Sequence, residues 1–463
     1  MDSIYDLIVI GAGPGGYVAA IRAAQLGMKV LCVEKEAVPG GTCLRVGCIP
    51  SKALLESSEL FYKTRREFGM HGINVEASVD LPKLMARKDS IVTQLTKGIG
   101  MLFKKNGVEH ITGQAKFTGP KTIAIGDQDF EAKAVIIATG AKPASLPGID
   151  FDGESIVDST GALSFDKIPE SMIVIGGGAI GLEMASVWSR LGANMTVLEY
   201  LPQIVPGMDA EVAELAKRIL NRQKIKIETG VRVTGAKTAN GAVTVTAEGK
   251  KEGDPPREWT VDKLLVSVGR RPVVDGLNLN AADIETDDRG FIPVDEHCET
   301  KTPGVYAVGD VIGGLMLAHK ASQEAVSVVE RLAGRQAKVN YNAIPAVVFT
   351  DPEIASVGKT EEQLKEANVT YKKGSFPYAA NGRAKALSAK EGFVKFLADP
   401  DTDLIYGAHI IGLRAGDLIA EIALAMHLGA SVIDIARTTH AHPTLAEIVK
   451  EAALAMHGEA IHI

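Results

Sequence analysis

Cys43 and Cys48 lie in the run Gly40-Gly41-Thr42-Cys43-Leu44-Arg45-Val46-Gly47-Cys48-Ile49-Pro50-Ser51-Lys52, and of the chain's 4 cysteines only these two are close together. Neighbouring thiols can cycle between dithiol and disulfide, or hold a metal ion. No second Cys or His pair stands nearby at a ligand spacing, so zinc is the weaker alternative. The spacing is also not the C-x-x-C of thioredoxin-like proteins. On a regular helix, positions five apart are about 8–9 Å between Cα atoms, whereas a disulfide needs less than about 7 Å. A bonded pair therefore requires a distorted backbone near Gly47, and Pro50 cannot donate a helical hydrogen bond. A strained, accessible disulfide is easily reduced, which suits catalysis better than scaffolding. Cys32, in an apolar run, reads as a buried small hydrophobe, and Cys298 as structural or incidental.

A strand, glycine turn and helix must position this pair. Leu7-Ile8-Val9-Ile10 leads into Gly11-Ala12-Gly13-Pro14-Gly15-Gly16, then a helix over Tyr17 to Leu26, closed by Gly27, and a strand ending at Glu34. A second copy runs from Ile173-Val174-Ile175 through Gly176-Gly177-Gly178-Ala179-Ile180-Gly181 to a helix over Leu182 to Leu191, closed by Gly192, and a strand ending at Glu199. In both copies the acid stands 23 positions after the first glycine and the closing glycine 16 after it. One such glycine pattern is weak. Strand, helix and acid in register make it a dinucleotide fingerprint. The first glycine allows the tight turn, the second admits a pyrophosphate, and the third packs helix on strand. The helix N-terminus offers free N–H groups to phosphate, and the acid accepts from ribose hydroxyls.

Two dinucleotide sites suggest electron transfer between two dinucleotides. The cysteine pair follows the first unit, and a flavin exchanges electrons with a thiolate better than a nicotinamide does. FAD is therefore assigned to Gly11, Gly13, Gly16 and Glu34, and NAD to Gly176, Gly178, Ala179, Ile180, Gly181 and Glu199. Glu199 would repel a 2′-phosphate, and Tyr200-Leu201-Pro202-Gln203 has no cation to receive one, which favours NAD over NADP. Further positions expected along the first ligand are Thr42, Gly113, Ala115, Thr139 and Gly140, and along the second Val233 and Gly269. Apolar strands ending in Gly140 and Gly269, each with a proline three later, mark domain changes. The segments are read as 1–143, 144–272, 273–340 and 341–463. Asp310, ending Val305-Tyr306-Ala307-Val308-Gly309, would accept from ligand hydroxyls or serve as a turn cap.

Thiol exchange needs a base to form the attacking thiolate. In His440-Ala441-His442-Pro443-Thr444-Leu445-Ala446-Glu447, His442 is the better placed. Pro443 suits the first position of a helix, whose apolar stripe is Leu445, Ile448, Val449, Ala452 and Met456. Glu447, a turn on, would orient the His442 ring. His440 is the rival.

Net charge of -7 provides no basic excess for nucleic acid, and no apolar run is long enough to span a membrane. The start shows no signal or transit pattern, which places the chain in the cytoplasm or, with a presequence removed, the mitochondrial matrix.

These motifs resemble the pyridine nucleotide–disulfide oxidoreductases, and within them the dihydrolipoamide dehydrogenase branch, over essentially the whole chain. The likeness rests on the Gly41-to-Lys52 cysteine motif, both glycine fingerprints, Gly309-Asp310, Met316-Leu317-Ala318-His319 and the His440-to-Glu447 run. It implies an α/β fold of two Rossmann-like domains, for FAD and NAD, with a C-terminal α+β dimerisation domain. It implies a homodimer in which His442 and Glu447 serve the partner's cysteines. It also implies dihydrolipoamide oxidation through Cys43 and Cys48, and a Lys52–Glu183 ion pair near the flavin; the plainer reading of Glu183 is a helix-surface acid. The partner it implies is a lipoyl-bearing acyltransferase of a 2-oxo acid dehydrogenase complex, or a lipoyl carrier protein. Ser51-Lys52 fits the lipoamide branch rather than the glutathione branch. A glutathione-type reductase and a non-catalytic flavin-binding subunit are the alternatives. Arg45 departs from the asparagine usual there. A cation between the cysteines would lower a thiolate pKa; a solvated side chain is the plainer reading.

Overall fold

The computed structural model describes residues 4–249 and 254–463. The chain divides into two compact units: one holds residues up to Leu54 with Asp80–Ala144 and Val268–Val339, and the other holds Leu55–Val79, Ser145–Ser267 and Asn340–Ile463. Segments far apart in the chain thus share a unit.

The first unit is built on a sheet whose central strand, Tyr5–Ile10, pairs in parallel with Val30–Glu34 on one side and Gln128–Ile137 on the other. Glu109–Thr112 extends it beyond Val30–Glu34, and Val305–Ala307 pairs with Gln128–Ile137. Leu7, Ile8 and Val9 are fully buried, because a parallel sheet covered on both faces demands unbroken apolar strands. The first crossover helix spans Pro14–Gln25, three residues earlier than its apolar pattern suggests. Pro14 takes its first turn, where a missing N–H costs nothing.

In the second unit, Ser171–Ile175 pairs in parallel with Asn194–Glu199 and Lys263–Val266, with Ile225–Thr229 and Ile156–Val157 at the edges. Its glycine-turn helix is Ala179–Leu191, again starting three residues early. An antiparallel sheet of Val233–Ala239, Ala242–Ala247 and Arg257–Val261 packs beside it. Residues beyond Asn340 form a five-stranded antiparallel sheet in the order Ala346–Val348, Glu353–Gly358, Ile405–Gly412, Phe393–Ala398, Lys372–Pro377. Ile448, Val449, Ala452 and Met456 of the helix Ala446–Met456 pack on it with Phe376, Phe396 and Ile410. The expected class, two Rossmann-like domains and a C-terminal α+β domain, is the one observed. Among the described residues, no helix is long and apolar enough to cross a membrane, and no cluster of three or more His, Cys, Asp and Glu is placed to hold a metal.

Candidate active site

Each glycine turn shows why its glycines are there. A Cβ on Gly16 would lie 1.7 Å from the Gly11 carbonyl oxygen, and one on Gly181 would lie 2.1 Å from that of Gly176. Only glycine permits the helix to sit so close to the turn. The middle glycines differ. A Cβ on Gly13 would meet nothing nearer than 3.7 Å, and one on Gly178 nothing within 4 Å. Their smallness therefore serves little internal packing in this chain; it leaves open the face that a pyrophosphate would approach. The acids brace the turns from behind. Glu34 Oε2 accepts from the Ala12 N–H (2.8 Å) and Oε1 from Glu36 (3.1 Å). Glu199 Oε2 accepts from the Gly177 N–H (2.5 Å) and Oε1 from Leu201 (2.7 Å). Both turns thus have the open glycine and braced backbone that a dinucleotide pyrophosphate needs.

The cysteine segment is fastened to the first turn. Gly40 N–H donates to the Ala12 carbonyl (2.8 Å). Gly41, at φ +58°, lies so close that a Cβ on it would meet Gly13 Cα at 2.5 Å. Neither Gly40 nor Gly41 was singled out from sequence; the doubled glycine six residues past Glu34 was the available signal. A short helix, Gly41–Val46, carries Cys43, and a second, Cys48–Arg66, begins at Cys48. Gly47 joins them at φ -141°, ψ -109°, where a Cβ would press on the Thr42 carbonyl oxygen at 2.9 Å. The helix breaks at the residue that the spacing required. Both cysteines are present as thiols, Cys43 half-buried and Cys48 exposed. A hydrogen bond with Cys48, then burial, pushes the Cys43 thiol well above its ordinary range, while Lys52 pulls it down. The Arg45 guanidinium is 3.0 Å from a Glu36 carboxylate oxygen. Cys32 and Cys298 are both buried.

Asp310 sits in the turn Gly309–Ile312, with Arg270 Nε 3.6 Å from its carboxylate. Burial raises its pKa, against the pull of Arg270 and Lys320. This turn is held by a pair that sequence reading missed. Glu324, fully buried, accepts from the Gly309 N–H (2.8 Å) and pairs with Lys320 (2.9 Å), which also donates to the Gly313 carbonyl (3.2 Å). A Lys and a Glu four apart on the buried face of one helix was the signal. Met316 and Leu317 precede that helix, Ala318–Leu332, which opens with Ala318 and His319. Thr139 Oγ1 donates to the Val273 carbonyl (2.6 Å), and Gly140, at φ +72°, turns the chain into Ala141–Pro143. Gly269, at φ +125°, does the same for Arg270–Pro272, and the two short strands pair antiparallel. Gly113 N–H donates to the Glu34 carbonyl (2.8 Å), and Ala115 is buried at the start of Ala115–Gly119. Thr42 is exposed and Lys52 half-buried.

In the second unit, Ile180 is 38% exposed beside the open face at Gly178, and Val233 packs against the sheet core. Glu183 is no surface acid: it is 4% exposed, and Oε1 accepts from the Phe349 N–H (3.0 Å). The C-terminal histidines separate clearly. His440 has one ring nitrogen 2.7 Å from Glu421 and the other 3.0 Å from the Thr438 carbonyl. His442 has Nδ1 2.9 Å from Glu447 Oε1, and its side chain is 81% exposed. The other Glu447 oxygen accepts from the Thr444 N–H (2.8 Å). Burial works to raise the Glu447 pKa, but these two hydrogen bonds bring it below the ordinary glutamate value. Pro443 does not begin the helix, as its type suggested. The helix starts at Ala446, and Glu447 caps the preceding turn through Thr444.

Two Rossmann-like domains, one with a dithiol against its glycine turn, form the architecture of a two-dinucleotide thiol oxidoreductase. Residues 5–325 match the family model described as pyridine nucleotide-disulphide oxidoreductase, and residues 344–453 match its dimerisation domain. The chain belongs to the pyridine nucleotide-disulphide oxidoreductase family and uses FAD and NAD. It is 50% identical to a mitochondrial dihydrolipoyl dehydrogenase of Caenorhabditis elegans, over 99% of this chain and 94% of that one. It is 49% identical to a dihydrolipoyl dehydrogenase of Cupriavidus necator, over 98% of each. The solved structure of LpdA from Mycobacterium tuberculosis superposes with a TM-score of 0.89 at 28% identity, covering 96% of this chain and 98% of that one.

Proposed function

We propose that the protein oxidises dihydrolipoamide to lipoamide with NAD+ as final acceptor, the activity for which the relatives at about 50% identity are named. The observation that carries this is the Cys43–Cys48 pair, hydrogen-bonded at a broken helix and fastened by Gly40 and Gly41 to the first dinucleotide turn. In the oxidised pair, a substrate thiolate attacks Cys43 and Cys48 leaves as thiolate. The second substrate sulfur then displaces Cys43, closing lipoamide's own disulfide and leaving two electrons on the cysteines. His442 takes the substrate proton through the ring nitrogen not facing Glu447, which holds the ring and stabilises its charged form. Cys48, exposed at the start of the second helix, is the sulfur we assign to carry the charge. A flavin held by the first glycine turn would supply the two-electron relay between the cysteines and NAD+. Asp310, in the turn held by Lys320 and Glu324, would accept from flavin hydroxyls, and Lys52 would lie by the flavin ring. Glu199, with no cation in Tyr200 to Gln203, favours NAD over NADP and argues against a glutathione-type reductase.

The dimerisation-domain match supports a homodimer, and in our reading His442 and Glu447 act on the partner's cysteines. The electron donor in the cell would be a lipoyl-bearing acyltransferase of a 2-oxo acid dehydrogenase complex, or a lipoyl carrier protein. Its compartment would be the bacterial cytoplasm or the mitochondrial matrix, as the relatives' sources suggest. Cys48→Ser should abolish dihydrolipoamide oxidation while the purified protein keeps its bound yellow flavin. Full activity in that variant would overturn the assignment.

A further inference from the structure

The two dinucleotide units correspond beyond the acid. Gly40 and Val205 stand 29 positions after Gly11 and Gly176 respectively. Each donates its N–H to the carbonyl between the first two glycines: Gly40 to Ala12 (2.8 Å) and Val205 to Gly177 (2.8 Å). Both have positive φ, +122° for Gly40 and +43° for Val205. Glycine accepts that region freely, but a β-branched residue does so only under strain that its surroundings must hold. In the second unit a valine stands where the first has a glycine, so something must keep it there.

The holding group lies four residues on. Asp209 is fully buried, and Lys395 Nζ, itself 1% exposed, is 3.1 Å from each of its carboxylate oxygens. Glu361 N–H also donates to Asp209 Oδ2 (3.3 Å), and Ser356 Oγ–H to the sulfur of Met208 (3.0 Å). Lys395 lies on Phe393–Ala398 of the C-terminal sheet and also meets Glu361 (2.5 Å) and Glu211 (3.0 Å). That sheet thus grips one end of the segment, while Glu199 takes the Leu201 N–H at the other. Between them Ile204 and Val205 are buried, with Ile204 against Gly177.

We propose that Lys395 and Asp209 are positioning residues for NAD: their buried ion pair holds Leu201 to Asp209, strained at Val205, closed on the second glycine turn. This rests on the reading of that turn as the NAD site. A loop held in its binding conformation has less freedom to lose when the nucleotide arrives. Neither residue need touch the nucleotide.

The test is NAD+ binding to the oxidised, flavin-loaded enzyme by titration calorimetry. Asp209→Asn keeps a helix-capping side chain and removes the charge that Lys395 grips. It should weaken NAD+ binding about fivefold, the scale of releasing one ordered segment. KM for NAD+ should rise in parallel, with KM for dihydrolipoamide and flavin content unchanged. Adding Val205→Gly should restore most of the affinity, because glycine holds the turn unaided, as Gly40 does. Lys395→Met should behave like Asp209→Asn; if it fails to fold, Asp209→Asn decides. Unchanged NAD+ affinity in Asp209→Asn would overturn the proposal, and so would a loss that Val205→Gly does not repair. A wild-type enzyme that bound no NAD+ would instead sink the assignment of the site.

Discussion

The two glycine turns share one backbone plan and differ in what leans on them. In the first, the segment after the acid brings Gly41 against Gly13 and Gly40 onto the Ala12 carbonyl, and carries Cys43 and Cys48 directly after them. In the second, the equivalent segment brings Val205 against Gly177 and delivers Asp209 to a buried lysine. The binding code of strand, glycines and acid is common to both. The chemistry depends on the residues after it, so a duplicated nucleotide-binding unit can become either a redox centre or a binding site alone.

The largest break in that comparison should come from the third glycine of each turn. Gly16→Ala forces a Cβ to within 1.7 Å of the Gly11 carbonyl, and should leave protein without flavin, read from its visible absorbance. Gly181→Ala, at 2.1 Å from Gly176, should keep the flavin and lose NAD+ binding. Flavin loss in both, or in neither, would show that the two sites are not separate. Next in size is Glu447→Gln, outside both turns. It should lower kcat/KM for dihydrolipoamide about 100-fold, the usual scale for disabling acid–base catalysis, with flavin content and NAD+ affinity intact. A normal rate would remove Glu447 from the mechanism.

A smaller effect is expected at the position where the copies diverge. Gly40→Val puts into the first turn the residue type that the second carries, but at φ +122° and without a buried ion pair to hold it. Destabilisation of about 1–3 kcal/mol is expected, read as a lower denaturant midpoint; an unchanged midpoint would mean that positive φ at this position is not costly. The smallest effect concerns acid. The folded pKa of Glu447 is lowered, so its contribution to stability is fully present above the ordinary glutamate value of about 4.3. It is lost only as pH falls through the lower folded value. Carboxyl NMR should show Glu447 titrating below free glutamate. Titration at or above that value would mean that Thr444 and His442 do not hold it ionised.

The sequence by itself determined the two strand–turn–helix units, the acid that ends each, the unequal status of the four cysteines and the break at Gly47. These follow from local sterics: which residues tolerate a tight turn, how far a helix carries two sulfurs apart, how soon an acid ends a strand. Boundaries were less legible, as with helices starting at Pro14 and Ala179 and a C-terminal helix that ignores Pro443. The sequence ranked His442 above His440; the tertiary structure adds that Glu421, 19 residues from His440, engages the ring of that rival. It alone buried Glu183, tied Arg45 to Glu36, and placed Glu324 behind Gly309. It alone showed that the duplication continues to Gly40 and Val205, since nothing in a valine's type announces a positive φ. The hold on that valine lies 186 positions from Asp209, in Lys395. Contacts at such a range depend on how sheets and helices close on one another, and no local pattern in the chain encodes them.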